Sequence, residues 1–169
     1  VSDLALWLTA QLDHDEQVAR AAARETTSER WSASGGLVYP EDNPSQHPGP
    51  FLADVYGLPD EVAAHIALHD PASVLRTVAA HRAILAEHLP TRTSVEWPHD
   101  TTGKGEALTC PRCQNAEHTD WRPAIGMAGV LPEGFVAPYV LAPCRTLLLL
   151  AAIYQDRDGY DPRWTTEDR

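Results

Sequence analysis

The segment Cys110-Pro111-Arg112-Cys113 holds the residue types and spacing best suited to chemistry in this chain. Two thiolates separated by a two-residue turn converge on one point. Zn²⁺ takes four nitrogen or sulfur ligands in a tetrahedron. Cys144 offers a third thiolate at the predicted start of a helix, where the positive end of the helix dipole favours the anion. His88 is the expected fourth ligand, because it sits on the inward face at the end of its own predicted helix. His118 is the alternative: it lies five residues past Cys113, and short loops close cheaply. His99 ranks third. A Cys₃His set of this kind is a structural zinc site that staples two helices to a long loop. Other readings of the thiols stay open. They could be reduced and unliganded, or form a redox pair, although no βαβ pattern surrounds them. Cys144 could also serve as a thiol nucleophile, against which stands its place beside an apolar helix.

His65-Ile66-Ala67-Leu68-His69-Asp70 is the second constellation. Histidines four residues apart share a helical face and could share a metal. The His-Asp pair is similar to those of metal-dependent phosphohydrolases, so a metal-dependent hydrolase using His65 and His69 is one functional alternative. The further His and Asp ligands such enzymes need are missing. Ile66 stands where a metalloprotease helix requires Glu. The plainer expectation is that His65 packs and that Asp70 caps the next helix. The charged run Asp13-His14-Asp15-Glu16 is expected to be a solvated helix face. No nucleophile elbow, phosphate-binding loop or dinucleotide fingerprint occurs.

The elements that must position these residues can be traced along the chain. Leu4, Leu8, Leu12, Val18, Ala19 and Ala22 recur at helical spacing and predict a helix over 3–24. Strand formers from Trp31 to Tyr56 surround Gly35-Gly36, which can supply the positive φ of a hairpin turn. A mobile proline-rich connection is expected over Pro40–Pro50. Pro59-Asp60-Glu61 opens one helix, and Asp70-Pro71 opens the next, with Asp70 as its N-cap. In that next helix Val74, Val78, His81, Leu85 and His88 form one continuous face, and Pro90 ends it. His81 is expected to be a satisfied core histidine. Strand-like fragments fall near Val95-Trp97, Ala107-Thr109 and Phe135-Leu141. A last apolar helix is expected over 144–155, followed by a tail whose Tyr160 and Trp164 fold back. The fold class expected is α+β, mainly α-helical: about four helices, a small β-hairpin or sheet, and a zinc-knuckle-like loop. One domain over 1–169 is expected. It comprises a helical part with a hairpin insert (1–90), a loop and knuckle segment (91–142), and a C-terminal helix with tail (143–169).

Composition agrees with a packed globule: 169 residues, 43% hydrophobic and 22% charged. Lys and Arg number 13 against 24 Asp and Glu, a formal net charge of −11. That field repels phosphates and argues against general binding to nucleic acid or anionic membranes. The apolar run Leu147–Ile153 is far short of the roughly 20 residues of a membrane span. The first residues read as an amphipathic helix rather than a signal peptide, and three cysteines do not make a disulfide framework. A soluble, cytoplasmic protein is expected.

Four segments carry a resemblance: Asp15-Glu16-Gln17-Val18-Ala19-Arg20, His65 to Pro71 running on to Arg76, Arg82 to His88, and Pro143-Cys144-Arg145-Thr146-Leu147 continuing to Tyr154, Tyr160 and Trp164. In these the chain resembles a group of small uncharacterised proteins of actinobacteria and their phages, a domain of unknown function whose members often carry a C-x-x-C between the last two segments. The chain departs from that group at Leu148, Ile153 and Asp158, where Arg, Pro and Pro are usual, which implies a longer, more buried helix around Cys144. The resemblance implies a bacterial or phage-infected cytoplasm and brings no activity with it. Together these readings point to a non-enzymatic, zinc-stabilised domain that binds a protein partner or a second copy of itself; Tyr154, Tyr160 and Trp164 either form that contact or complete the core. A phage virion or accessory component is a further alternative.

Overall fold

The computed structural model describes residues 3–41, 53–54, 59–96, 104–113 and 142–165. Its elements, in chain order, are α1 (Asp3–Thr26), β1 (Trp31–Ser34), β2 (Leu37–Pro40), β3 (Ala53–Asp54), α2 (Asp60–Leu68), α3 (Pro71–Glu87), β4 (Thr91–Glu96), β5 (Lys104–Thr109) and α4 (Arg145–Ala152). A 3-10 turn, Pro162–Trp164, follows. The fold class is α+β and mainly helical, with two small antiparallel sheets. Contacts divide the chain into two compact units. One comprises residues 12–81, and the other 1–11 together with 82–169.

In the 12–81 unit, β1 and β2 pair antiparallel with Ser34 opposite Leu37. Gly35 and Gly36 close that hairpin at φ 59° and 74°. Two consecutive positive values match the right-handed twist of the flanking strands and suit glycine. β3 adds to the other edge of β2. α2 packs across β1 and β2, burying Ala63 and Ala67 with Val38 while Trp31, Ala33 and Ile66 close the cluster. Small residues on the helix allow that close approach. Asp70 is the N-cap of α3, as its position before Pro71 implied, and its Oδ1 accepts from the Ser73 N–H at 2.6 Å. The expected proline-rich connection after Pro40 lies outside the described residues apart from Pro40 and Glu41.

In the other unit, Leu4, Ala5 and Leu8 of α1 are buried, as are Leu147, Leu148, Leu150 and Ala151 of α4. The tail folds back onto α1. Trp164 lies 5.1 Å from Trp7, centroid to centroid, with Tyr154 and Tyr160 edge-on to the same indole. The Trp7 Nε1–H donates to the Asp158 carbonyl at 3.1 Å. β4 and β5 form a second hairpin in full register from Thr91↔Thr109 to Glu96↔Lys104.

The structure corrects several sequence expectations. α1 buries Leu12 and Ala19 but leaves Val18 54% exposed, since Ala19, seven residues after Leu12, continues the leucine face and Val18 lies one residue round the helix from it. α4 stops at Ala152, short of 155, and Ile153 is exposed. The chain turns there and Tyr154 meets Trp7 edge-on, so the helix is shorter than the 144–155 expected. His81, expected to be a satisfied core histidine, has a buried Nδ1 with no hydrogen-bond partner among the described residues. The strand-like fragment Phe135-Leu141 lies outside the described residues.

Candidate metal centre

Three pieces of backbone bring the candidate ligands together. His88 directly follows α3, and its N–H still donates to the Ile84 and Leu85 carbonyls, both at 3.2 Å. The ring is therefore held in helical register on the row of Val78 and Leu85, both buried. Cys110 follows the last residue of β5, and the turn Pro111–Cys113 carries the second thiol back beside it. Cys144 is the N-cap of α4, at φ −74° and ψ 163°. One main-chain bond sets the last two pieces side by side: the Ala142 N–H donates to the Leu108 carbonyl at 2.9 Å. Cys110 and Cys144 each lie two residues beyond their end of that bond. Arg112 pairs with Glu87 at 3.2 Å across the knuckle. Both side chains are more than half exposed, so this pair adds little stability.

The resulting geometry is tight. His88 Nδ1 lies 3.3 Å from Cys110 Sγ and 3.5 Å from both Cys113 Sγ and Cys144 Sγ. The four ligand atoms all lie within 4.8 Å of one another. Hydrogen bonding does not account for this convergence, because one ring nitrogen carries at most one proton and cannot serve three sulfurs. The separations are compatible with a metal tetrahedron. Bonds of about 2.3 Å to sulfur and about 2.0 Å to nitrogen at the tetrahedral angle give S···N edges of about 3.5 Å. Cys110 and Cys144 are 0% and 1% exposed, whereas Cys113 is half-buried. No disulfide joins any of them.

Burial also holds the proton on two of the metal-free thiols, Cys113 and Cys144. Desolvation pushes Cys113 up to about 12, helped by its hydrogen bond with Cys110 and by the charges of Cys144 and Cys110. Cys144 is raised as well, first by burial, although the Leu147 N–H pulls the other way. The expectation that the helix start alone would favour its thiolate is thus corrected. The backbone donor is present and acts in the expected direction, but burial outweighs it.

His65 and His69 stack on the exposed side of α2, with ring centroids 4.5 Å apart. His69 Nδ1 bonds to the His65 carbonyl at 2.9 Å. Among the described residues they gather no third Cys, His, Asp or Glu ligand. His99 and His118 lie outside the described residues. The main-chain bond between Ala142 and Leu108 could not be anticipated from residue types, since any residue can make it.

Fold and site together define a small α+β, mainly helical protein with a Cys₃His cluster able to hold a metal ion. The chain belongs to a family of unknown function, DUF6221, whose model matches residues 1–166. No curated protein and no solved structure matches it. Among the described residues, no helix is long and apolar enough to cross a membrane.

Proposed function

We propose that the protein is a non-enzymatic domain built around one structural Zn²⁺, held by Cys110, Cys113, Cys144 and His88, that serves a bacterium or its phage by binding a protein partner or a second copy of itself. The carrying observation is the approach of three sulfurs to a single ring nitrogen at the edge length of a zinc tetrahedron. Zinc suits the donors, since three thiolates and one imidazole are a soft, four-coordinate set. A set of four protein ligands leaves no open position for water or substrate, which is the mark of a structural site rather than a catalytic one. The exposed, two-membered arrangement of His65 and His69 gives a hydrolase no comparable support. The net charge of −11 favours a partner other than nucleic acid, and a cytoplasmic setting suits three reduced thiols.

Elemental analysis of tag-free protein tests this reading, with about one zinc per chain expected. The His88→Ala variant loses the metal and melts earlier, whereas His65→Ala and His69→Ala keep it. Metal-free protein with three freely titratable thiols, refusing added zinc, would overturn the proposal. Loss of metal from His118→Ala but not from His88→Ala would move the fourth ligand to the loop.

A further inference from the structure

We propose that Cys113 is an oxidation site, through which hydrogen peroxide or a similar two-electron oxidant releases the metal and loosens the junction of α3, β5 and α4. The inference rests on the zinc reading above. Its basis is an asymmetry within the ligand set. Cys110 and Cys144 are sealed, at 0% and 1% exposed, while Cys113 at the tip of the knuckle is half-buried. A metal-bound cysteine is a thiolate, and the thiolate is the nucleophilic form. Cys113 is therefore the ligand that a dissolved oxidant reaches. A resolving thiol is already in place, because the sulfurs of Cys110 and Cys144 both lie within 4.8 Å of the Cys113 sulfur.

The steps balance. The Cys113 sulfur attacks one peroxide oxygen; an S–O bond forms, the O–O bond breaks, and hydroxide leaves, giving a sulfenic acid. The sulfur of Cys110 or Cys144 then attacks the Cys113 sulfur. An S–S bond forms, the S–O bond breaks, and a second hydroxide leaves. Two thiolates have lost two electrons, the peroxide has gained them, and two protons from solvent convert the hydroxides to water. Zinc keeps its charge and departs, because one thiolate and one imidazole no longer make a four-ligand site. A thiol reductant reverses the disulfide and restores the site.

The test uses the zinc-loaded full chain under hydrogen peroxide, with a chromogenic chelator reporting free zinc and mass spectrometry mapping the oxidised cysteines. The expected result is zinc release in step with a disulfide that contains Cys113, dimedone trapping of sulfenic acid at Cys113 first, and recovery of zinc binding after reduction. Cys113→His preserves a four-ligand set while removing the reachable thiolate, and should release zinc about tenfold more slowly or slower still. Cys144→His, which keeps Cys113 beside Cys110, should still form a Cys110–Cys113 disulfide under peroxide. If Cys113→His fails to hold metal, dimedone mapping on the parent protein decides alone. A Cys110–Cys144 disulfide, first trapping at either buried thiol, or retention of zinc by the oxidised chain overturns the proposal. A chain that never takes up zinc overturns the metal reading instead, so the two failures are distinguishable.

Discussion

At the scale of single residues, the desolvation that raises Cys113 and Cys144 makes their binding to a metal a proton-releasing event. Each cysteine must lose its proton to become a ligand. Cys113, pushed up to about 12, and Cys144, raised by burial, are thiols at neutral pH when no metal is bound. Zinc uptake at pH 7 should thus release at least about two protons per ion, measured in weakly buffered titrations, and affinity should climb with pH below the thiol range. Release of one proton, with zinc bound, would remove at least one of these two thiols from the ligand set, and release of none would remove both. The metal-free fold has the opposite sign. Because its Cys113 holds a proton more tightly than an unfolded thiol near 9, that contribution is fully present below pH 9 and disappears as pH rises toward 12.

At the scale of elements, Gly159 shows how a turn is committed to a packing arrangement. It sits at φ +78°, and a Cβ there would come within 3.1 Å of Trp7 Nε1. Gly159→Ala should therefore cost about 1–2 kcal/mol in denaturant titration, from the left-handed backbone together with displacement of the indole from the Asp158 carbonyl. An unchanged midpoint would mean the tail does not rest on α1 as described. Elements with local signals were legible in the sequence. Gly35-Gly36 announced the hairpin, Asp70-Pro71 the start of α3, and the Val78–Leu85 row pointed His88 inward. What was not legible depended on partners distant in sequence. The end of α4 is set by Tyr154 turning to reach Trp7, and the β4–β5 hairpin lacks a tight-turn dipeptide, so 91–142 read as a long loop with strand fragments. The four candidate ligands could be named from type and spacing. The half-exposure of Cys113 depends on the shape of the folded turn and carries no sequence signal.

At the scale of the molecule, the two compact units should answer differently to loss of metal. The 12–81 unit has its own cluster of Val38, Ala63 and Ala67 with Trp31, and none of the four candidate ligands belongs to it. The other unit contains the whole Cys₃His set. Chelation should speed hydrogen exchange at β4, β5 and α4 while β1 and β2 keep their protection. Equal loss in both sheets would show that the metal supports the chain as one cooperative unit. A chain whose exchange is unaltered by a strong chelator would give the metal no structural role.

The packing of Trp164 on Trp7 also sets a timetable. The unit that contains this contact is assembled from residues 1–11 and 82–169, whereas 12–81 is a single uninterrupted stretch. A ribosome adds about 5–20 residues each second, so Trp7 emerges on the order of ten seconds or more before Trp164 is made. During that interval Leu4, Ala5 and Leu8 exist without the aromatic tail that later closes over their helix, and the knuckle waits for Cys144 before a fourth ligand can arrive. The contiguous stretch needs no such delay. Birth order therefore favours completion of the β1–β2 sheet with α2 first, and the metal-holding unit, whose parts come from both ends of synthesis, last.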